Sequence, residues 1–252
     1  MNHTLSKIIR NKNFFSLWSF LNKLSMYGMN FGVASGYADY SGELYIIKQL
    51  KEKIQNGVIF DIGANVGDWS KYIQKKYHNH FYKLYMFEPS LPTFKQLVEN
   101  IPQQKNCFAY NIGFGNKQEK LKIFYDYEAQ GSASLLAKNC SYSEEVNIEK
   151  LDDFCIKYEI KQIDFLKMDV QGYEYNILLG AQRLLEEKRI KVIQFEVDEP
   201  NIENRIFFKD FWNLLHENFD IYHSLYNGLV KIEQYDYTLE NFRCMNYLAI
   251  ER

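Results

Sequence analysis

The sequence lacks the features that mark several classes of protein. Only four of its 252 residues are proline, and no repeat or low-complexity tract divides it. Its four cysteines form no CxxC pair, which disfavours a zinc site or a disulfide framework and predicts a reducing compartment, the cytoplasm. The apolar stretch at residues 14–21 is shorter than the ~20 residues that span a bilayer, so no stable membrane insertion is expected.

Neither sign of charge predominates. Lys and Arg total 30 against 32 Asp and Glu, and the net charge is -2. Without a basic excess to bind a phosphate backbone, nucleic acid is not expected as a partner. What is present is 46% hydrophobic and 25% charged residues, the composition of a globular protein that buries a sizeable core.

The first 42 residues are predicted to form a helical arm followed by a lid loop, with one domain at residues 43–252. Apolar residues recur at helical spacing in the arm: Phe14, Leu17, Trp18, Leu21 and Leu24. This stripe predicts an amphipathic helix that packs on the domain or on a second subunit, which would give a homo-oligomer. A peripheral membrane contact is the alternative. The glycine- and tyrosine-rich stretch at 28–42 predicts a lid.

Short apolar runs alternate with helical patterns along the rest of the chain. The runs lie at residues 58–60, 84–87, 107–110, 165–168 and 191–195. This alternation predicts an α/β fold, a Rossmann-like parallel sheet with helices on both faces. Period-two alternation at 121–125 and again at 146–148 predicts a small antiparallel insert.

Carboxylates and an amide stand where the predicted strands end. They are Asp61, Glu88, Asn111, Asp169 and Glu196. Because right-handed crossovers bring the carboxyl ends of parallel strands to one edge, we expect these side chains to meet there. That edge is the predicted site.

The turn after the first strand reads Asp-Ile-Gly-Ala-Asn-Val-Gly at residues 61–67. Asn65 and Asp68 stand where the dinucleotide fingerprint has its second and third glycines, and no GxxxxGK[ST] loop exists in the sequence. The carboxylates of Asp61 and Asp68 repel phosphate and suit a cation. Glu88, at the next strand end, has the oxygens to accept two ribose hydroxyls. A cationic nucleoside without phosphate is S-adenosylmethionine.

The predicted cofactor-binding residues follow from this interpretation. They are Asp61, Gly63, Ala64, Asn65, Gly67 and Glu88, with Tyr110 and Asn111 beside the adenine.

From about residue 42 to 197 the sequence resembles the FkbM-type S-adenosylmethionine-dependent methyltransferases. The resemblance rests on residues 58–67, 87–89, 111–113, 151–154 and 165–174. It implies a seven-stranded class I methyltransferase sheet and O-methylation of a hydroxyl on a sugar, sugar nucleotide, glycan or secondary metabolite. Members usually read Asp-Val-Glu-Gly where this chain has Gln171, a departure in the most specific segment.

Methyl transfer to a hydroxyl calls for an aligned acceptor and a group that takes its proton. Asp169 is the predicted base, although it also has the position of a helix N-cap. Lys167 is expected to pair with Asp169 or to orient the substrate. Glu174 and His223 are further catalytic candidates, and Glu174 equally suits a first helical turn.

A metal ion is a further expectation. Asp169 and Glu196 together could hold Mg²⁺ or Mn²⁺, with His223 as a third ligand. Hydroxyls at 130–135 are expected to bind the acceptor, a small molecule or a carbohydrate. Two alternatives stay open: a catalytically idle cofactor-binding or assembly subunit, and a nicotinamide-dependent reductase, which conflicts with the interrupted glycine pattern.

Overall fold

The computed structural model describes residues 7, 9–32, 42–51, 55–77, 81–101, 105–125 and 142–252. The predicted acceptor-binding segment 130–135 and residues 33–41 of the predicted lid lie outside the described residues.

Eleven strands occur in the described residues. They are β1 (Gly57–Ile62), β2 (Phe81–Phe87), β3 (Cys107–Tyr110), β4 (Gly113–Phe114), β5 (Glu119–Tyr125), β6 (Tyr142–Glu149), β7 (Phe165–Met168), β8 (Val192–Val197), β9 (Phe219–Leu225), β10 (Gly228–Lys231) and β11 (Met245–Glu251). Eight of them form one sheet in the order β10-β9-β11-β8-β7-β1-β2-β3, and the other three form a small sheet in the order β4-β6-β5.

Five neighbouring strands of the main sheet are parallel. β1 pairs with β2 and with β7, β2 pairs with β3, and β7 pairs with β8. The chain therefore builds outward from β1 in one direction and from β7 in the other. Between β1 and β7 lies the topological switch point, where α/β sheets bind ligands. The predicted α/β class and the predicted antiparallel insert, in which Leu121 pairs with Val146, are both confirmed.

Nine α-helices connect and cover these strands. They are α1 (Phe15–Gly28), α2 (Glu43–Leu50), α3 (Asp68–Tyr77), α4 (Leu91–Asn100), α5 (Leu151–Lys157), α6 (Glu174–Leu179), α7 (Gln182–Glu186), α8 (Glu199–Asn204) and α9 (Phe208–Leu215). This count covers the described residues, as does the finding that none of these helices is long and apolar enough to cross a membrane.

The two faces of the sheet have different cores. One face carries aromatic rings that surround Phe154 of α5, which is 0% exposed. Its ring centroid lies 4.4 to 6.4 Å from those of six other aromatic residues, Phe60, Tyr85, Phe87, Tyr110, Phe114 and Tyr158. The other face packs α2 and α3 through aliphatic side chains such as Ile46, Ile59 and Ile73. This second face also carries the polar groups described below.

The less apolar side of helix α1 contacts the rest of the domain. This finding corrects the expectation that the apolar stripe of the helix packs on the domain. No residue of α1 is buried, and Leu17, Leu21 and Leu24 are exposed. The chain returns to the body immediately after the helix, where Phe31 is buried in the main core. The N–H of Gly32 donates to the carbonyl oxygen of Cys244 at 2.9 Å.

Removing the central ring of the aromatic face should destabilise the fold. We expect Phe154→Ala to lower the free energy of unfolding by about 3–5 kcal/mol, because a cavity replaces a fully buried ring. Urea denaturation measures this change. Phe15→Ala, at a residue that is 74% exposed, is the matched control and should change stability by less than about 0.5 kcal/mol. Equal effects of the two variants on the free energy of unfolding would contradict the placement of Phe154 at the centre of the aromatic core.

Candidate active site

Strand register brings polar residues side by side across three strands. Asp61 of β1 lies opposite Lys167 of β7, and Lys167 lies opposite Gln194 of β8. Residues paired across neighbouring strands share a face of the sheet, so the three side chains form a row. All three are buried, and buried polar groups are tolerated only where they find partners.

The ammonium group of Lys167 links two carboxylates. Its Nζ lies 3.4 Å from Oδ1 of Asp61 and 3.4 Å from Oδ2 of Asp169. The second oxygen of Asp61 accepts a hydrogen bond of 2.6 Å from the hydroxyl of Ser70 in α3. Burial by itself lowers the pKa of Lys167, but the neighbouring carboxylates, Asp61 foremost, raise it above its usual range. The amine therefore stays charged within the sheet.

Asp169 is the accessible acid of this group. It follows β7 directly at the switch point, and its side chain is 25% exposed, whereas those of Asp61 and Lys167 are 0% and 4% exposed. One oxygen of its carboxylate is thus held by the buried ammonium of Lys167, while part of the side chain is exposed to solvent.

The turn after β1 is held tightly between β2 and β7. The N–H groups of Gly63 and Ala64 both donate to the carbonyl oxygen of Phe87 at 3.0 Å. Gly63 has φ +78°, and a Cβ built on it would lie 2.0 Å from the carbonyl oxygen of Asp169. Only glycine fits such a position. Gly67 closes the turn through a 2.9 Å bond from its N–H to the carbonyl oxygen of Ala64.

Glu88 lies at the end of β2, beside this turn. Its Oε2 accepts the N–H of Asn65 at 3.0 Å, and its Oε1 accepts the N–H of Ser90 at 2.9 Å. Burial raises the pKa of Glu88 to about 7. Both oxygens already have backbone donors, so the ribose-binding role predicted for Glu88 depends on their second lone pairs.

Asn111 and Tyr110, the two predicted adenine contacts, have different surroundings. The amide of Asn111 donates to the carbonyl oxygens of Glu88 and Pro89 at 2.9 and 2.8 Å, which fixes the loop after β2. The ring of Tyr110 stacks on Phe87 with a centroid distance of 5.7 Å. Tyr110 therefore packs against the aromatic core, and its predicted cofactor contact stays a prediction.

The loop between β7 and α6 is braced by Glu174. This side chain is 0% exposed, and its Oε1 accepts the N–H of Val170 at 2.9 Å. Burial raises its pKa to about 8. Gln171 and Gly172 both have positive φ, +57° and +90°, so the loop's shape is set by backbone. Glu174 holds that shape, and the structure does not present its carboxylate to a substrate.

Glu43 is a residue of the site that the sequence did not reveal. It begins α2, is 3% exposed, and its Oε1 accepts a hydrogen bond of 3.0 Å from Nε2 of Gln194. Burial raises the pKa of Glu43 to about 7, although the charge of Lys167 opposes this rise. Helix α2 thus adds a third carboxylate to the environment of Lys167.

The groups able to ligate a metal gather around Glu196 but not around Asp169. Ligand atoms of Glu196, Asp198 and Cys244 lie within 4.8 Å of one another, the group found in the part of the chain that the structure describes. The thiol of Cys244 donates to Oε1 of Glu196 at 2.7 Å, and burial raises the pKa of Glu196 to about 8. Mg²⁺ and Mn²⁺ prefer oxygen ligands to a thiol, so this group does not suit them, and the Asp169–Glu196 metal pair stays a prediction.

His223 lies on the wrong face of the sheet for either role predicted for it. Its register partner on β11 is Tyr247, whereas Glu196 pairs with Asn246. The imidazole lies between two rings, with centroids 5.7 Å from Phe31 and 5.2 Å from Tyr247. Burial there lowers the pKa of His223. It is a neutral core residue, and its predicted catalytic and metal-binding roles are corrected.

Comparison with known families identifies the chain. Residues 61–222 match the model of the methyltransferase FkbM domain. The chain therefore belongs to the FkbM methyltransferase family, as the sequence resemblance predicted.

The individual relatives share only about a quarter of their aligned residues with this chain, or fewer. Methyltransferase 1 of Beauveria bassiana (strain ARSEF 2860) is 24% identical over 48% of this chain and 57% of its own length. Methyltransferase sdnD of Sordaria araneosa is 26% identical over 50% of this chain and 61% of its own. The chain thus spans about three fifths of these curated relatives. A crystal structure of methyltransferase FkbM from Methylobacillus flagellatus KT is 14% identical, with a TM-score of 0.47 over 77% of this chain and 43% of that one.

The raised pKa of Glu43 predicts a pH-dependent stability. Its pKa is about 7 in the folded state against an ordinary 4.5, so between these values the folded state binds more protons than the unfolded state. Stability then falls as pH rises through this window and is constant above it. We expect the difference in unfolding free energy between wild type and Glu43→Gln to shift by roughly 3 kcal/mol, in favour of the variant, between pH 4.5 and 8.

Urea denaturation at several pH values measures this difference. Glu186→Gln, at an exposed position of α7, is the matched control for the loss of one carboxylate. A flat profile for Glu43→Gln would contradict the buried environment of Glu43.

Proposed function

We propose that this chain binds S-adenosylmethionine at the turn after β1 and transfers its methyl group to a hydroxyl of a sugar, sugar nucleotide, glycan or related secondary metabolite. The family supports methyl transfer, and the names of the two curated relatives agree. The bound donor supplies an electrophilic methyl group next to a positively charged sulfur. A hydroxyl acceptor is favoured because a carboxylate, Asp169, is open at the switch point.

The residues of the edge fit such a donor. Asp61, Glu88 and Asp169 surround the turn with carboxylates, which favour a sulfonium and disfavour a pyrophosphate. Gly63 and Gly67 leave two positions of the turn without side chains, and the N–H of Asn65 donates a hydrogen bond of 3.0 Å to Glu88. These residues hold the nucleoside in our proposal.

Asp169 carries the proposed chemistry. Lys167 anchors one of its oxygens at 3.4 Å, which leaves the exposed part of the carboxylate to accept a hydrogen bond from the acceptor hydroxyl. Alignment of that oxygen with the methyl group is the larger contribution, since orientation supplies ~7–11 kcal/mol. Removal of the hydroxyl proton by Asp169 contributes the remainder.

An idle cofactor-binding or assembly subunit is the second candidate, and the departure at Gln171 from the usual family pattern favours it. The positive φ of Gln171 weakens that argument, because the loop keeps its shape through the backbone and Glu174. A nicotinamide-dependent reductase has no supporting feature at this edge.

Substitution at Asp169 should separate catalysis from binding. We expect Asp169→Asn to slow methyl transfer by about 10²- to 10⁴-fold and to leave the Kd for S-adenosylmethionine within about threefold. Radiolabelled donor with a panel of sugars, sugar nucleotides and glycans measures the rate, and calorimetry measures the Kd.

Asp61→Ala is the contrasting variant. It removes a carboxylate from the turn and leaves the buried ammonium of Lys167 with Asp169 as its ion-pair partner, so donor binding should be lost while the fold, checked by circular dichroism, persists. A wild-type rate of methyl transfer in Asp169→Asn would refute the assignment of Asp169 as the base. Donor binding by wild type without transfer to any acceptor would favour the idle subunit.

Chelation tests the metal expectation. Because Glu196 accepts a hydrogen bond from the thiol of Cys244 and the ligand group found in the described residues includes that thiol but not Asp169, we expect methyl transfer after exhaustive treatment with EDTA to stay within about twofold of the untreated rate. Loss of activity that Mg²⁺ or Mn²⁺ restores would reinstate a metal ion in the mechanism.

A further inference from the structure

Helix α1 exposes an apolar face that the described residues of the body leave uncovered. Only Ser19 and Met26 of this helix are half-buried, and Met26 packs against the main core, where its sulfur accepts a hydrogen bond of 3.0 Å from Asn241. These two residues are seven positions apart and so lie on the same side of the helix.

The apolar residues lie on the opposite side. Leu17 and Leu24 each precede one of the two contact residues by two positions, a rotation of about 200° on an α-helix. Around them, six large side chains form the outward face, and all are 40–69% exposed: Leu17, Trp18, Phe20, Leu21, Leu24 and Tyr27. Contiguous exposed apolar surface of this kind marks an interaction site.

The charge of the arm indicates what binds there. Between residues 1 and 38 the sequence has four basic residues, Lys7, Arg10, Lys12 and Lys23, and no Asp or Glu, although the whole chain has a net charge of -2. Within the described residues none of the four forms an ion pair. A cationic segment with Trp, Tyr, Phe and Leu on one helical face is typical of helices that lie in the headgroup region of anionic membranes.

We propose that the outward face of α1 docks on an anionic lipid surface, with the helix lying in the plane of the membrane. Its 14 residues extend about 21 Å, less than the ~30 Å of a hydrocarbon core, so the helix cannot span it. A second copy of the chain is the less favourable occupant, because a two-fold symmetric dimer would place this face of one copy against the same face of the other. Such a contact would bring together two sets of cations without a neutralising carboxylate.

Co-sedimentation of the full chain with vesicles tests the proposal. We expect binding to vesicles of phosphatidylcholine and phosphatidylserine, weakened by salt, and at least about tenfold weaker binding to pure phosphatidylcholine. Leu17→Ser/Leu24→Ser should reduce binding by about tenfold or more, because two apolar side chains no longer leave water. Lys12→Gln/Lys23→Gln should reduce it by a similar factor, on the anionic vesicles alone.

Ile156→Ser/Ile202→Ser is the matched control. These residues are 53% and 52% exposed on helices of the body, so their replacement should leave vesicle binding unchanged. Absence of binding to anionic vesicles, or equal binding to neutral ones, would overturn the proposal. So would a dimer in sedimentation equilibrium that Leu17→Ser/Leu24→Ser dissociates, since the occupant would then be a second copy. Vesicle binding is measured without donor or acceptor, so its outcome is independent of the proposed methyl transfer.

Discussion

The site depends on one buried cation. Lys167 lies between the carboxylates of Asp61 and Asp169. These carboxylates are at the switch point of the sheet, where the neighbouring strands β1 and β7 end. Without that charge, two acids on adjacent strand ends would face each other, and one of them, Asp61, is fully buried from water. Ser70 extends the arrangement from Asp61 into α3, so the ends of both strands and the helix after the turn are fixed by the same group.

Local pattern sufficed to predict the parallel sheet and the acids at its edge. A short apolar run that ends in Asp61 or Asp169 indicates both the strand and the position of its end. The contact between Glu43 and Gln194 was not predictable, because it joins residues 151 positions apart and no local periodicity encodes it. The prediction for His223 failed for another reason: a strand end predicts the edge, but the face depends on register, and a shift of one residue reverses it.

The arm shows a similar limit. Helical spacing correctly predicted an apolar stripe, and the usual inference is that such a stripe faces the core. Met26, outside the stripe, makes the contact instead. Periodicity identifies which residues share a face, whereas the partner of that face is determined by contacts distant in sequence. The absence of carboxylates before residue 39 is the sequence feature that distinguishes this helix from an ordinary core helix.

The edge carries fewer negative charges than it has acids. Burial raises the pKa of Glu43 and Glu88 to about 7 and that of Glu174 and Glu196 to about 8, so near neutral pH the first two are about half protonated and the last two largely protonated. Lys167 and its two carboxylate partners leave a surplus of about one negative charge, and Glu43 and Glu88 together add about one more. A donor whose sulfonium carries a positive charge offsets part of that surplus, whereas a pyrophosphate would add two more negative charges to a site whose one cation in the described residues, Lys167, is already paired.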